Sequence, residues 1–218
     1  MRTLFDSKLE LLNSMMLVMG SSMEEAIKSA TKLLETRDES AAEAVINGDD
    51  EIDSLERDIE GLCVKLLLTQ QPVASDLRHV SAALKMVGDM ERIGDQATDI
   101  AELIMTLEGD LEPKIHDNIQ KMCDQACTMV HDAVQAYVDS DRDQVKHVIE
   151  EDSIMNELFE ETKWDITADI QKGNENAGNL VDSLMLAKYL ERVGDHAKNI
   201  AEWVEYSLVG TYKGDLIG

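Results

Sequence analysis

Two short segments hold the side chains of this sequence best suited to chemistry. Glu91, Asp95, Asp99 and Glu102 follow one another at spacings of four, four and three, and Glu191, Asp195, Asn199 and Glu202 repeat that spacing one hundred residues later. The full segments, Glu91-Arg92-Ile93-Gly94-Asp95-Gln96-Ala97-Thr98-Asp99-Ile100-Ala101-Glu102 and Glu191-Arg192-Val193-Gly194-Asp195-His196-Ala197-Lys198-Asn199-Ile200-Ala201-Glu202, agree at eight of twelve positions. On a helix turning about 100° per residue, the four carboxylates of the first segment fall within about 80° of one another. Such a row offers only oxygen donors, which suit hard or borderline ions such as Mg, Mn, Fe or Zn, and adjacent carboxylates can bridge two ions. Asp49, Asp53, Glu56 and Glu60 form a further acidic row. A weaker echo, offset by 103, aligns Val45-Ile46, Asp49, Asp53 and Leu55 with Val148-Ile149, Asp152, Asn156 and Leu158.

These rows are costly to build. Like charges four apart on a helix cost about 0.2–0.5 kcal/mol per pair, and the embedded Gly94 and Gly194 each cost about 1 kcal/mol relative to alanine. The same costs at matching positions in both halves call for a cause. A bound cation is one; the close approach of a neighbouring helix or ligand where the glycines lack a side chain is another. The competing reading is that so acidic a chain shows a solvated acidic face on every helix.

The elements that must position these rows are helices. Only Pro72 and Pro113 interrupt the chain, aromatics are 4% of it, and unbranched residues dominate, a mix that favours helix. Punctuation predicts helices over 6–36, 38–69 (with a bend near Gly48), 75–108, 114–139, 141–172 and 179–208. Met86, Met90, Ile93, Ala97, Ile100 and Ile104 form an apolar stripe opposite the first acidic row, and Leu186, Leu190, Val193, Ala197, Ile200 and Val204 its counterpart. Leu55, Ile59, Leu62 and Leu66 lie away from the third row. Short connections make neighbours antiparallel. The expected fold is all-α: two tandem three-helix up-down-up bundles related by the internal repeat, residues 1–110 and 111–218, with a tail after Gly210.

The formal charge of −25 over 218 residues excludes non-specific nucleic-acid binding and attraction to anionic membranes. Residues Met1 to Asp6 lack a signal-peptide pattern, and the longest apolar stretch nearby, Met15 to Met19, is too short to span a bilayer. Cys63, Cys123 and Cys127 lack a disulfide framework's spacing; although Cys123 and Cys127 could pair on a metal, burial as small apolar groups is the expectation. No phosphate-binding loop, zinc-protease motif, dinucleotide fingerprint or pair of Glu-x-x-His motifs occurs, and nothing assembles a nucleophile, base and oxyanion donor. His196 is read as a surface histidine rather than a ligand; His116, His131 and His147 belong to no constellation.

The two Glu-Arg-x-Gly-Asp segments, with Pro72-Val73-Ala74-Ser75-Asp76-Leu77-Arg78 as a first-half corner and Asn199-Ile200-Ala201-Glu202 as a second-half ending, resemble the paired signature of the PhoU family of phosphate-transport regulators. The resemblance spans residues 10 to 208. It implies a homodimer of paired three-helix bundles that negatively regulates high-affinity phosphate uptake and the phosphate-starvation response. The implied partners are the phosphate ABC transporter and its sensor histidine kinase, which hold a cytoplasmic protein at the inner membrane without direct insertion. It also implies metal sites, of one or several ions, on Glu91, Asp95 and Asp99 and on Glu191, Asp195 and Asn199. Asp49, Asp53, Asp152 and Asn156 would face them. Asn156 and Asn199 depart from a fully acidic pattern, so the second site is expected to be weaker or smaller. Asp76 and Arg78 are expected to fix the corner, Asp76 by capping the helix start. Two other functions fit the residues: a metal-dependent hydrolase or phosphatase using metal-activated water, and a purely structural helical scaffold.

Overall fold

In the computed structural model, residues 2–70, 72, 75–173, 177–213 and 215–216 are described. Six helices follow in order: α1 (Arg2–Thr36), α2 (Glu39–Gln70), α3 (Ser75–Thr106), α4 (Pro113–Asp139), α5 (Arg142–Gln171) and α6 (Ala177–Val209). A two-stranded antiparallel ribbon, β1 (Thr211–Tyr212) and β2 (Asp215–Leu216), follows α6. The helices match the expected ones within a few residues, except that the first begins four residues earlier; the tail after Gly210 carries the ribbon. Residues 71, 73 and 74, the last two within the first-half corner, and residues 174–176 lie outside the described residues.

Local chemistry accounts for the boundaries. Arg37 takes a left-handed φ of 49° after α1, and Asp38 then caps α2 by accepting from the Ser40 and Ala41 amides at 2.9 and 3.1 Å. Asp141 does the same for α5, accepting from Asp143 and Gln144. Pro113 opens α4, where its missing N–H costs nothing, and Ser140 closes it in the left-handed region.

α1, α2 and α3 make one three-helix unit and α4, α5 and α6 the other. α1 packs on α4 and α3 on α6, so these four helices form a central ring, with α2 outside the first unit and α5 outside the second. The apolar stripes line this ring: Met86, Met90, Ile93, Ala97, Ile100 and Ile104 are buried, as are Leu186, Leu190, Val193, Ala197, Ile200 and Val204. All three cysteines are buried and unpaired by disulfides. Polar ties join the units. Asn179 accepts from the Glu108 amide at 3.0 Å and donates to its carbonyl, and Arg78 Nε reaches the Ser207 carbonyl at 3.4 Å. Arg78 thus braces α3 against α6, a role beyond the corner it follows. No described helix is long and apolar enough to cross a membrane.

Candidate functional site

The two Glu-Arg-x-Gly-Asp segments lie mid-way along α3 and α6 and show the same burial, residue for residue, from 91 to 100 and from 191 to 200. In each, the apolar residues enter the ring and the glycine faces the outer helix. A Cβ on Gly94 would sit 2.9 Å from Asp49 Oδ1 and 3.0 Å from Ile52 Cδ1; on Gly194 it would sit 3.0 Å from Met155 Cγ. Ile52 and Met155 are partners under the 103-residue echo, so the glycines perform one task twice. They let α2 seat on α3, and α5 on α6.

That seating brings first-half carboxylates together. Asp49 and Asp53 of α2 are half-buried, beside Glu91, Asp95 and Asp99 of α3. Burial, then the charges of Asp95, Asp53, Asp50 and Asp99, pushes Asp49 up to about 6. Glu91 is raised by burial and by Asp95, Glu56 and Asp53, with Arg92 opposing. Asp99 is raised by burial, Asp95 and Glu102, with Arg192 opposing. Asp49 Oδ1 is buried and has no hydrogen-bond partner. Arg57 meets Asp53 at 3.3 Å, from an exposed position on the same helix. An orphaned carboxylate oxygen among mutually repelling carboxylates is what an oxygen-loving cation would relieve, so this donor set fits a metal in chemistry. As placed, no three His, Cys, Asp or Glu side chains among the described residues are gathered closely enough to hold an ion, so binding would require them to draw in.

The second half occupies the same positions differently. Asp152, aligned with Asp49, is buried. Its Oδ2 accepts from Lys198 Nζ at 2.7 Å and from Asn156 Nδ2 at 3.2 Å. Lys188 pairs with Glu191, and Lys213, in the terminal ribbon, lies 3.2 Å from Glu202 and 3.4 Å from Asn199. Burial, Glu191 and Asp152 raise Asp195, while Lys188 and His196 oppose them. Stacking of Tyr212 on Trp203 at 3.9 Å lays the ribbon along α6. A cavity of about 420 Å³ here is lined by Arg192, Asp195, His196, Lys198, Asn199, Glu202 and Lys213. Lysines thus meet Asp152, Glu191 and Glu202 in this half, although Glu202 Oε2, like Asp49 Oδ1, is buried without a hydrogen-bond partner.

His196 corrects the expectation of a surface histidine. It is buried, and its Nδ1 lies 2.8 Å from Asp89 Oδ1 of α3, to which Asn199 Nδ2 also donates at 3.4 Å. One end of the second site is therefore bound to the first half. Asp89, Lys188, Lys198 and Lys213 escape a search for shared motifs because the other half lacks them: Tyr189, Gly88 and Thr98 stand opposite the first three. A search for differences between the repeats would have found them.

Comparison with known proteins agrees with this architecture. The PhoU domain family model matches twice, over residues 16–104 and 119–204. The chain is 35% identical to a phosphate-specific transport system accessory protein PhoU homolog of Clostridium acetobutylicum, covering 96% of each chain. It is 32% identical to the homolog of Borreliella burgdorferi, covering 93% of this chain and 94% of that one. The crystal structure of PhoU from Pseudomonas aeruginosa superposes with a TM-score of 0.88 at 32% identity, over 95% of this chain and all of the other. The phosphate transport system regulatory protein PhoU of Streptococcus pneumoniae does so with a TM-score of 0.87 at 26% identity, over 95% and 98%.

Proposed function

The chain belongs to the PhoU family, and from that premise we propose that it is an accessory regulator of phosphate transport acting as an adaptor, not a catalyst. It couples the phosphate ABC transporter to its sensor histidine kinase in the cytoplasm, as a homodimer, and holds high-affinity uptake and the starvation response down when phosphate is plentiful. The observation that carries this reading is likeness along almost the entire chain, in both halves, to proteins named as phosphate-specific transport accessory proteins. The charge of −25 complements a basic surface on a membrane-bound partner and disfavours direct attachment to anionic lipid.

Metal binding is the second element of the proposal. Asp49, Asp53, Glu91, Asp95 and Asp99 would hold one or more Mg, Mn, Fe or Zn ions between α2 and α3. The ion would supply positive charge where Asp49 Oδ1 lacks a partner. The role we propose for it is to fix the seating of α2.

The decisive experiment is deletion of the gene in phosphate-rich cells. Derepression of the phosphate-starvation genes, reversed by the intact gene, is the expected result; unchanged expression overturns the regulatory reading. Sustained turnover of phosphate esters by metal-loaded protein, abolished by Glu91→Ala, would instead establish the hydrolase.

A further inference from the structure

The outer face of α5 differs from that of its counterpart α2. Ile154, Glu157, Glu161 and Trp164 follow one another at spacings of three, four and three, which sets them in line along the helix over about 15 Å. All four are exposed, Ile154 by 47% and the Trp164 indole by 69%. Under the 103-residue echo, α2 has Glu51, Ser54, Asp58 and Gly61 at these positions, and it has Lys65 where α5 continues the line with Ala168. The second half therefore carries two apolar anchors where the first has an acid and a glycine, and it lacks the lysine. The bases beside the line are engaged: Lys163 holds both carboxylate oxygens of Glu160 at 2.8 and 3.0 Å, and Lys114 of α4, which also feels Glu161, pairs with Asp165 at 2.6 Å. Neither Glu157 nor Glu161 has an ion pair among the described residues. A single exposed apolar residue needs no cause; an indole in register with an isoleucine and two unpaired carboxylates is a surface of definite chemistry.

We propose that this line on α5 is the docking face for a basic amphipathic helix of a partner protein. The proposal rests on the adaptor reading given above and deepens it by naming the surface. Trp164 is the anchor: its ring face takes a guanidinium or ammonium group, and its large apolar area is what a contact buries at its centre. Glu157 and Glu161 pair with further Arg or Lys residues, and Ile154 meets an apolar side chain at the far end. Spacings of three and four match the ridges of another helix. Charge selects the class of partner. The net charge of −25 draws a basic segment at long range, whereas it repels a second copy of this chain and an anionic lipid surface. Because α2 lacks both anchors, only one of the two outer helices takes the partner, which fixes the orientation of the complex.

The test is a fluorescence titration of the full chain carrying Trp203→Phe, which leaves Trp164 as its one indole. The probe is an amphipathic peptide of about 18 residues, with leucine in heptad register flanked by arginine; its control has glutamate for arginine. The arginine peptide is expected to shift Trp164 emission to the blue and to saturate, and the control to do neither. Trp164→Ala, read by anisotropy of the labelled peptide, is expected to weaken binding about tenfold. Glu157→Gln with Glu161→Gln is expected to weaken it about fivefold and to flatten its salt dependence, while Asp58→Asn on α2 leaves it unchanged. No emission shift, or affinity unaltered by Trp164→Ala, overturns the proposal. Self-association or binding to phosphatidylcholine vesicles that is lost on Trp164→Ala overturns it too, by giving the face to a second copy or to lipid. In phosphate-rich cells, Trp164→Ala at unchanged protein level is expected to derepress the starvation genes. Derepression on gene deletion but not with Trp164→Ala keeps the regulatory reading and overturns the docking face. Peptide binding through Trp164 without derepression on deletion does the reverse.

Discussion

Gly94 faces Asp49 so closely that an added Cβ would lie 2.9 Å from the carboxylate oxygen, with two Ile52 side-chain atoms at 3.0 and 3.1 Å. The glycine is where α2 rests on α3, and it tolerates the helix-propensity cost because a methyl group would lift the outer helix. At Gly194 the corresponding contact is a flexible methionine, Met155 Cγ at 3.0 Å. Gly94→Ala is therefore expected to lower stability by about 1–3 kcal/mol through overpacking. Gly194→Ala should cost less, because Met155 can change rotamer and alanine gains about 1 kcal/mol of propensity. Urea denaturation of both variants checks the order; equal losses would mean that the two glycines do not differ in what they seat.

Asp49 itself should carry a sign that depends on metal. In chelator, Asp49→Asn removes a repelled carboxylate and is expected to raise the melting temperature. With Mn²⁺ in excess, the parent protein gains RT ln(1 + [L]/Kd) from binding, and the variant should gain much less. Paired melting curves of the two proteins, with and without Mn²⁺, decide it.

The bond between His196 and Asp89 joins the halves at a place shielded from water, with side chains 11% and 14% exposed. Removing one partner leaves the other desolvated, so His196→Ala is expected to cost about 1.5–3 kcal/mol. His196→Gln, the residue the first half carries, keeps a donor and should recover part of that loss. The two variants can be compared by denaturation midpoint at unchanged slope.

His79 should make the protein acid-labile. It stacks on Tyr137 with ring centroids 4.2 Å apart, its Nε2 lies 3.2 Å from Asn13 Oδ1, and Tyr137 donates to its carbonyl. Burial pushes it down to about 4, against a smaller upward pull from Asp76. Between that value and an unfolded value of about 6.5, the unfolded chain binds the proton and the folded one does not. Stability should therefore fall as pH drops through 6.5 towards 4 and be insensitive to this group above 7. His79→Phe preserves the stack and removes the titration. The difference in melting temperature between parent and variant, followed from pH 7.5 to 4.5, should shift in the variant's favour on acidification; a constant difference would show that His79 does not titrate in this range.

The six helices, their faces and the tandem repeat were all legible in the amino-acid order. Helix periodicity is a local property: Met86 to Ile104 and Leu186 to Val204 recur every three or four residues, and such stripes can only be buried together. The glycines and carboxylates were legible for a related reason, since the repeat copied them. What the order could not specify is which outward-facing groups would meet. Asp49 and Asp152 occupy matching places on matching helices, yet one is left without a partner and the other holds a lysine, because the side chain that decides it sits on a different helix, 46 residues from Asp152. The bond from His196 to Asp89 spans 107 residues, and only the packing of α3 against α6 creates it. Periodicity settles which side of a helix turns inward; partner choice among the charges at its margin depends on the distances between helices, which exist only once the bundle has formed.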